Sequence, residues 1–290
     1  MQLSILVPID FSPANQVIYS LIAQLGQAVP VRVTLVHAAT NSSVRPGPQP
    51  EAVQAPLPIS EALEAEGHRI QLENCQTESV LIPKTRNPAK AIAKMANHGR
   101  YDLIFTAHRF RRGAAEYVMG STLSKLVRLC DVPILVLTEG HLPKLNTLLF
   151  TTDFAPESTK ALFSLLPYAR KLKARIVVVR INTGSDWLPE RDFREHAQEM
   201  KDMAADNGPA FAQHLEEQLV GIYSYNARSI AQGIVHCAED HQCDAIVMAT
   251  HARSGFSLMM NGSVTKEVIE HTPMPVLIFK VEELAQITAD

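Results

Sequence analysis

A carboxylate placed where an apolar run ends can accept hydrogen bonds from a ligand. A glycine–serine pair at a helix start can hold an anion. The chain carries both arrangements twice. Asp10 closes Ile5-Leu6-Val7-Pro8-Ile9, and Asp153 closes Leu148-Leu149-Phe150-Thr151-Thr152. Gly120-Ser121 and Gly262-Ser263 each open a segment with helical periodicity. The first turn of a helix has free N–H groups that suit phosphate. Glycine lets the main chain approach an anion, and a serine hydroxyl donates to it. One Asp after a strand is ordinarily a turn, and one Ser before a helix is ordinarily a cap. The combination recurring in register is what marks a candidate site.

Other reactive residues form weaker patterns. Cys75, Cys130, Cys237 and Cys243 contain no C-x-x-C pair, so buried free thiols are expected and neither a disulfide framework nor a zinc site is. His236, Asp240 and His241 share a predicted helix, but a metal would need further ligands from elsewhere. His251 follows a predicted strand with no identified partner for general-base work. Ser12, Ser121 and Ser263 lack the G-x-S-x-G elbow, and no Walker or G-x-G-x-x-G motif occurs. Arg109, Arg111 and Arg112 suit an anionic partner or simply a solvated loop. Trp187 and Leu188, ahead of a charged helix, read as a satellite core cluster, with an interface patch as the alternative.

The elements that position these residues come from a repeat. Asp10-Phe11-Ser12-Pro13 recurs as Asp153-Phe154-Ala155-Pro156, at an offset of 143. Tyr101-Asp102, Gly120-Ser121 and Val132-Pro133 recur as Cys243-Asp244, Gly262-Ser263 and Met274-Pro275, each at an offset of 142. Four landmarks in one order at one spacing mark a tandem duplication of a unit of about 140 residues, an ordinary domain length. In the first unit the patterning predicts strands at 4–9, 31–37, 77–83, 101–106 and 133–138. Helices are predicted at 13–27, with Ser12 as its cap, and at 59–74, 88–98 and 121–130. Residues 44–58 hold five prolines and predict an extended loop. In the second unit strands are predicted at 147–152, 175–181, 220–225, 244–249 and 275–280, and helices at 156–172, 190–218, 228–241 and 263–271.

Strands joined through helices pair in parallel, and right-handed crossovers then wind them into a sheet covered on both faces. The expected fold is therefore α/β: two tandem doubly wound, Rossmann-like domains, over residues 1–140 and 145–283, each with a five-stranded parallel sheet. Such sheets bind ligands at the carboxyl ends of their strands, where Asp10 and Asp153 stand. The 290 residues are 46% hydrophobic and 20% charged, ordinary globular usage that excludes a disordered chain. A net charge of −3 argues against a nucleic-acid partner. It averages two unlike parts: residues 1–143 hold 13 basic against 11 acidic residues, and the remainder 14 against 19. No apolar run approaches the roughly 20 residues of a membrane span. The N-terminal residues lack a signal-peptide pattern, so a cytoplasmic protein is expected, with no membrane partner.

Five segments stand together: Pro8-Ile9-Asp10-Phe11-Ser12, Leu35-Val36-His37, Met248-Ala249-Thr250-His251-Ala252-Arg253-Ser254-Gly255, Gly262-Ser263-Val264-Thr265 and the closing Met274-Pro275-Val276-Leu277-Ile278. On these residues the chain resembles the universal stress protein family, as a tandem two-domain member. The resemblance implies domains that pair as a dimer does, here as a pseudo-dimer within one chain or again as a homodimer. In some members it implies ATP or another adenine nucleotide at the strand ends. Nucleotide-binding members carry G-x2-G-x9-G-[S/T]. The second unit keeps that spacing as Ala249-x2-Ala252-x9-Gly262-Ser263, with alanine for both leading glycines. The first unit departs further, with Ala107 and Phe110 at those positions. Thr151 stands where the family has proline. The resemblance implies that Asp153 contacts the adenine end and that the main chain near Ile181 lines the base pocket. Ala249, Ala252, Gly262, Ser263 and Val264 would surround ribose and phosphates, with Arg253 in reach of phosphate.

The leading expectation is a cytoplasmic stress-response protein that binds ATP or another adenine nucleotide in its second domain, with Mg²⁺ as the companion of ATP. It would act by binding or regulation and not by turnover. The alternative is a non-nucleotide chaperone-like or scaffold member that meets an unidentified protein partner or a lipid-like ligand. Phe256, Leu258, Met259 and Met260 are candidates for its partner surface. A slow ATPase is the third reading, for which no base is identified.

Overall fold

The computed structural model describes residues 2–40, 58–70, 74–108, 121–141, 143–184, 186–251 and 262–281. The chain divides into two compact units, the second beginning at Pro143.

The first unit runs β1 (Leu3–Pro8), α1 (Asn15–Ala28), β2 (Val31–Ala38), α2 (Ile59–His68), β3 (Cys75–Ile82), α3 (Pro88–His98), β4 (Leu103–His108), α4 (Ser121–Leu129) and β5 (Ile134–Thr138). Its strands lie in the order β3-β2-β1-β4-β5, all parallel. The second runs β6 (Thr147–Thr151), α5 (Pro156–Leu172), β7 (Arg175–Asn182), α6 (Glu190–Asp206), α7 (Pro209–Gln218), β8 (Leu219–Asn226), α8 (Ile230–Asp240), β9 (Ala245–His251), α9 (Gly262–His271) and β10 (Val276–Val281). Its order is β10-β9-β6-β7-β8, again parallel. Each unit thus has the expected doubly wound α/β fold with five parallel strands.

The local rules behind these elements are visible in the side chains. Central strands such as Ile5-Leu6-Val7 and Ile176-Val177-Val178-Val179 are buried along their length, as sheets covered on both faces require. In α1 the buried Val17, Ile18, Leu21, Ile22 and Leu25 follow the helical period and face the sheet. Proline opens α3, where the Asn87 side chain accepts from the Lys90 N–H at 3.2 Å. The Ser229 hydroxyl accepts from the Gln232 N–H at the start of α8. The repeated Asp102 and Asp244 stand before β4 and β9, at the amino ends of those strands. Asp102 accepts from the Ser4 N–H at 2.7 Å. Asp244 accepts from the Asn146 and Thr147 N–H groups, each at 3.0 Å. This landmark of the duplication fastens the start of the first strand in each unit.

Three expectations need correction. Ser12 does not cap α1, which begins at Asn15. The Ser12 N–H and the Asn15 amide both donate to Asp10 Oδ1, so the carboxylate organises the helix entry. The helix expected over 59–74 ends at His68. The helix expected over 190–218 is two, because Gly208 takes φ +116° and Pro209 starts a new helix without an N–H to continue the old one. The proline-rich residues 44–57 lie outside the described residues.

Candidate functional site

In the second unit the chain runs from β6 outward through β7 to β8, then returns to lay β9 on the other side of β6. The carboxyl ends of β6 and β9 therefore flank the topological switch point, where an open parallel sheet forms its ligand crevice. Asp153 follows β6, and Ala249 lies near the end of β9 with its side chain buried.

The turn after β6 holds the carboxylate firmly. Asp153 Oδ1 accepts from the Ala155 N–H at 3.0 Å and from the Ser158 hydroxyl at 2.8 Å. Thr152 Oγ1 accepts from the Phe154 N–H at 2.9 Å and lies 3.1 Å from Ser158 Oγ. Thr152 and Ser158 are fully buried. These bonds offset the cost of Phe154 at φ 64°, a left-handed conformation worth roughly 1–2 kcal/mol of strain for a residue with a side chain. Phe154 packs against Phe193 and His196 of α6, each with ring centroids 5.6 Å apart. The first unit repeats the turn in a looser form. Phe11 takes φ 58°, the Ser12 N–H donates to Asp10 Oδ1 at 2.9 Å, and Asp10 is exposed. There Phe11 lies 4.9 Å from the His37 ring, whose Nδ1 contacts the Ile9 carbonyl at 2.7 Å.

Ile181 lies at the end of β7, buried against α8. A methyl group on Gly233 would stand 2.7 Å from Ile181 Cγ2, so the helix approaches this strand only because residue 233 is glycine. The Ile181 carbonyl accepts from Arg180 Nη1 at 3.0 Å. Arg180 Nη2 donates to Asp186 Oδ2 at 2.8 Å, an ion pair with the guanidinium buried. Asp186 belongs to a tight turn bridged to Thr183, and Trp187 after it is 61% exposed. The satellite core expected around Trp187 is therefore not formed by that residue.

Gly262 and Ser263 open α9, and Val264 is buried in it. Ala252 and Arg253 lie outside the described residues, as do Arg109, Arg111, Arg112, Phe110, Gly120, Phe256, Leu258, Met259 and Met260. The structure thus brings Asp153, Ile181 and Ala249 to the carboxyl end of one sheet, with the start of α9 following β9.

Sequence reasoning passed over two further residues. Asn182 at the end of β7 is 2% exposed. Its amide donates to Ser224 Oγ and Asn226 Oδ1, while its own Oδ1 is buried with no hydrogen-bond partner among the described residues. Thr265, in the first turn of α9, is 1% exposed, and its hydroxyl has no partner among the described residues. A buried orphan polar atom costs about 1–3 kcal/mol, and such atoms call for a specific explanation. Thr265 lay inside a quoted motif, but burial without a partner is invisible in a sequence.

His236, Asp240 and His241 form no metal cluster among the described residues. The Tyr225 hydroxyl donates to Asp240, and His241 packs on Tyr223 at 4.3 Å. The four cysteines are free thiols, Cys75 half-buried and the other three buried. No helix among the described residues is long and apolar enough to cross a membrane.

Comparison with known proteins agrees with this architecture. The family model described as the universal stress protein family matches twice, over residues 1–138 and 144–280. A universal stress protein from Archaeoglobus fulgidus DSM 4304 is 15% identical, covers 97% of this chain and 97% of its own, and superposes with a TM-score of 0.69. A functionally unknown protein from Pseudomonas aeruginosa PAO1 is 17% identical, with 96% and 92% covered and a TM-score of 0.67. A putative universal stress protein from Pseudomonas aeruginosa UCBPP-PA14 is 15% identical, with 96% and 92% covered and a TM-score of 0.65. At these identities the likeness to the solved structures is one of fold. No curated protein matches the chain. With the family model covering both units, the chain belongs to the universal stress protein family and carries two such domains in tandem.

Proposed function

We propose that the second unit binds an adenine nucleotide, ATP with Mg²⁺, at the carboxyl ends of β6, β7 and β9. In this reading the protein serves a cytoplasmic stress response by holding or sensing that ligand, not by turning it over. Asp153 carries the reading: a carboxylate fixed by the Ala155 N–H and Ser158 beside the switch point. A carboxylate there can accept from the exocyclic amine of adenine. The main chain at Ile181 would line the base. Ala249, Ala252, Gly262, Ser263 and Val264 would surround ribose and phosphates, with Arg253 reaching phosphate and Mg²⁺ offsetting its charge. Asn182 Oδ1 and Thr265 Oγ1, buried with no hydrogen-bond partner among the described residues, fit a polar occupant in the second unit.

Calorimetric titration of the full chain with ATP and Mg²⁺ tests this. One equivalent per chain is expected, lost in Asp153→Ala and kept in Asp10→Ala. No heat at millimolar ATP, or equal loss in both variants, sinks it. The domain pairing that the family implies, within one chain or between two, belongs to the same proposal. Sedimentation reads its second part as the mass of one chain or two.

A second reading, a chaperone-like or scaffold member without nucleotide, is favoured by Ala249 and Ala252 in place of glycine and by the exposed Trp187. Mass spectrometry of small molecules released from the denatured protein separates the two, since a co-purifying nucleotide excludes the second reading.

A further inference from the structure

A cavity of about 590 Å³ lies in the second unit among α6, α7 and the first half of β8. Its volume is within the range of small-molecule sites, about 300–1,000 Å³. Small side chains on its helical walls leave it open: Ala197 and Ala204 on α6 and Ala212 on α7. Phe193, Leu215, Leu219 and Ile222 supply the apolar part of its lining, and Gln198 adds to the polar part. The floor is irregular as well. Ile176 pairs with Leu219 but Val177 pairs with Gly221, so Val220 is an extra, bulged residue, 46% exposed beside the cavity.

The charges are unequal between the walls. Arg194 and Lys201 are two helical turns apart and line the α6 side, while Glu216 lines the α7 side. Arg194 is already paired with Glu190 at 3.0 Å. Lys201 makes no ion pair among the described residues. An apolar cleft with an available ammonium on one rim and a carboxylate on the other selects an elongated apolar ligand with an anionic end. Glu216 directs that end toward α6.

We propose that this cavity binds a single-chain anionic amphiphile, its apolar chain along the alanine-lined cleft and its carboxylate at Lys201. The β8 wall of the cavity is the half that pairs with the start of β7, while Phe193, at its other end, packs on Phe154 next to Asp153. Asp153, Ile181 and Ala249 do not line the cavity among the described residues, so the two ligands are assigned separate sites.

Calorimetry of the full chain with sodium dodecanoate, below its micelle concentration, tests the inference. Saturable binding of one dodecanoate per chain is expected, unchanged by ATP with Mg²⁺. Lys201→Glu should weaken it by about tenfold or more, and Lys201→Arg should keep it within about threefold. Ala197→Phe, which fills a half-exposed position in the cleft, should abolish it. Dodecyltrimethylammonium, with the same tail and the opposite charge, should show no saturable binding. The inference is overturned if dodecanoate does not bind, if the cationic amphiphile binds equally well, or if Lys201→Glu, a surface change that leaves the fold intact, has no effect.

Discussion

At the scale of single residues, the duplication supplies two kinds of aspartate with different tasks. Asp153 stands just past the carboxyl end of β6, and Asp244 fastens the opposite end of the same strand through two main-chain N–H groups. Charged acceptors of this kind contribute about 1.5–3 kcal/mol. Asp244→Ala should therefore lower the second unit's stability by about that amount, read as a reduced urea midpoint, with nucleotide affinity unchanged in the protein that remains folded. Ser158→Ala should do both. It removes a buried donor to Asp153 and to the Ala155 carbonyl, so affinity and midpoint should fall together. Asp153 was legible from the sequence because a strand-terminal carboxylate at a switch point follows from topology alone. Ser158 was not, because only the fold brings its hydroxyl beneath that carboxylate. Asn182 and Thr265 were hidden for a related reason: their burial with no partner among the described residues is a property of the fold, which no spacing rule encodes.

At the scale of elements, the clearest boundaries come from punctuation. The helices expected at 88–98 and 156–172 have those bounds, since Pro88 and Pro156 occupy first helical positions. Residues 190–218 read as one helix because apolar periodicity continues across the break. The Asn207-Gly208-Pro209 signal was present but outweighed by the longer pattern on either side. Gly208 at φ +116° sets the angle at which α7 leaves α6, a conformation that residues with a Cβ strongly avoid. Gly208→Ala should cost about 1–3 kcal/mol, whereas Pro209→Ala should cost about 0.4–1 kcal/mol. Because α6 and α7 form the walls of the amphiphile cavity, Gly208→Ala should also weaken dodecanoate binding while sparing ATP. A Gly208→Ala protein with wild-type stability by urea titration would show that the turn relaxes freely.

At the scale of the whole molecule, two copies of one fold have diverged, and the divergence predicts how the chain responds to alkali. The second unit holds Cys237 and Cys243, both buried, and burial pushes their thiols up to about 12 and about 11 respectively. The first unit's Cys75 is raised by burial as well, though it is only half-buried. A thiol with a raised folded-state pKa stays protonated in the native protein while the unfolded chain, with a pKa near 8.5, releases its proton. Between about pH 9 and pH 11 the unfolded state therefore binds fewer protons, and stability falls as pH rises. The contribution is fully present below pH 8 and declines toward the folded-state values. Raised tyrosine pKa values at Tyr19, where burial dominates, and at Tyr225, where its hydrogen bond to Asp240 dominates, act in the same direction. Cys237 and Cys243 should give the second unit an alkaline decline of its own. The urea midpoint of that unit, followed by Trp187 fluorescence, should drop across pH 9–11. Replacing both residues, as Cys237→Ala with Cys243→Ala, should flatten the drop even though it lowers the midpoint at neutral pH. An equally steep decline in the double variant would assign the alkaline loss to the tyrosines instead.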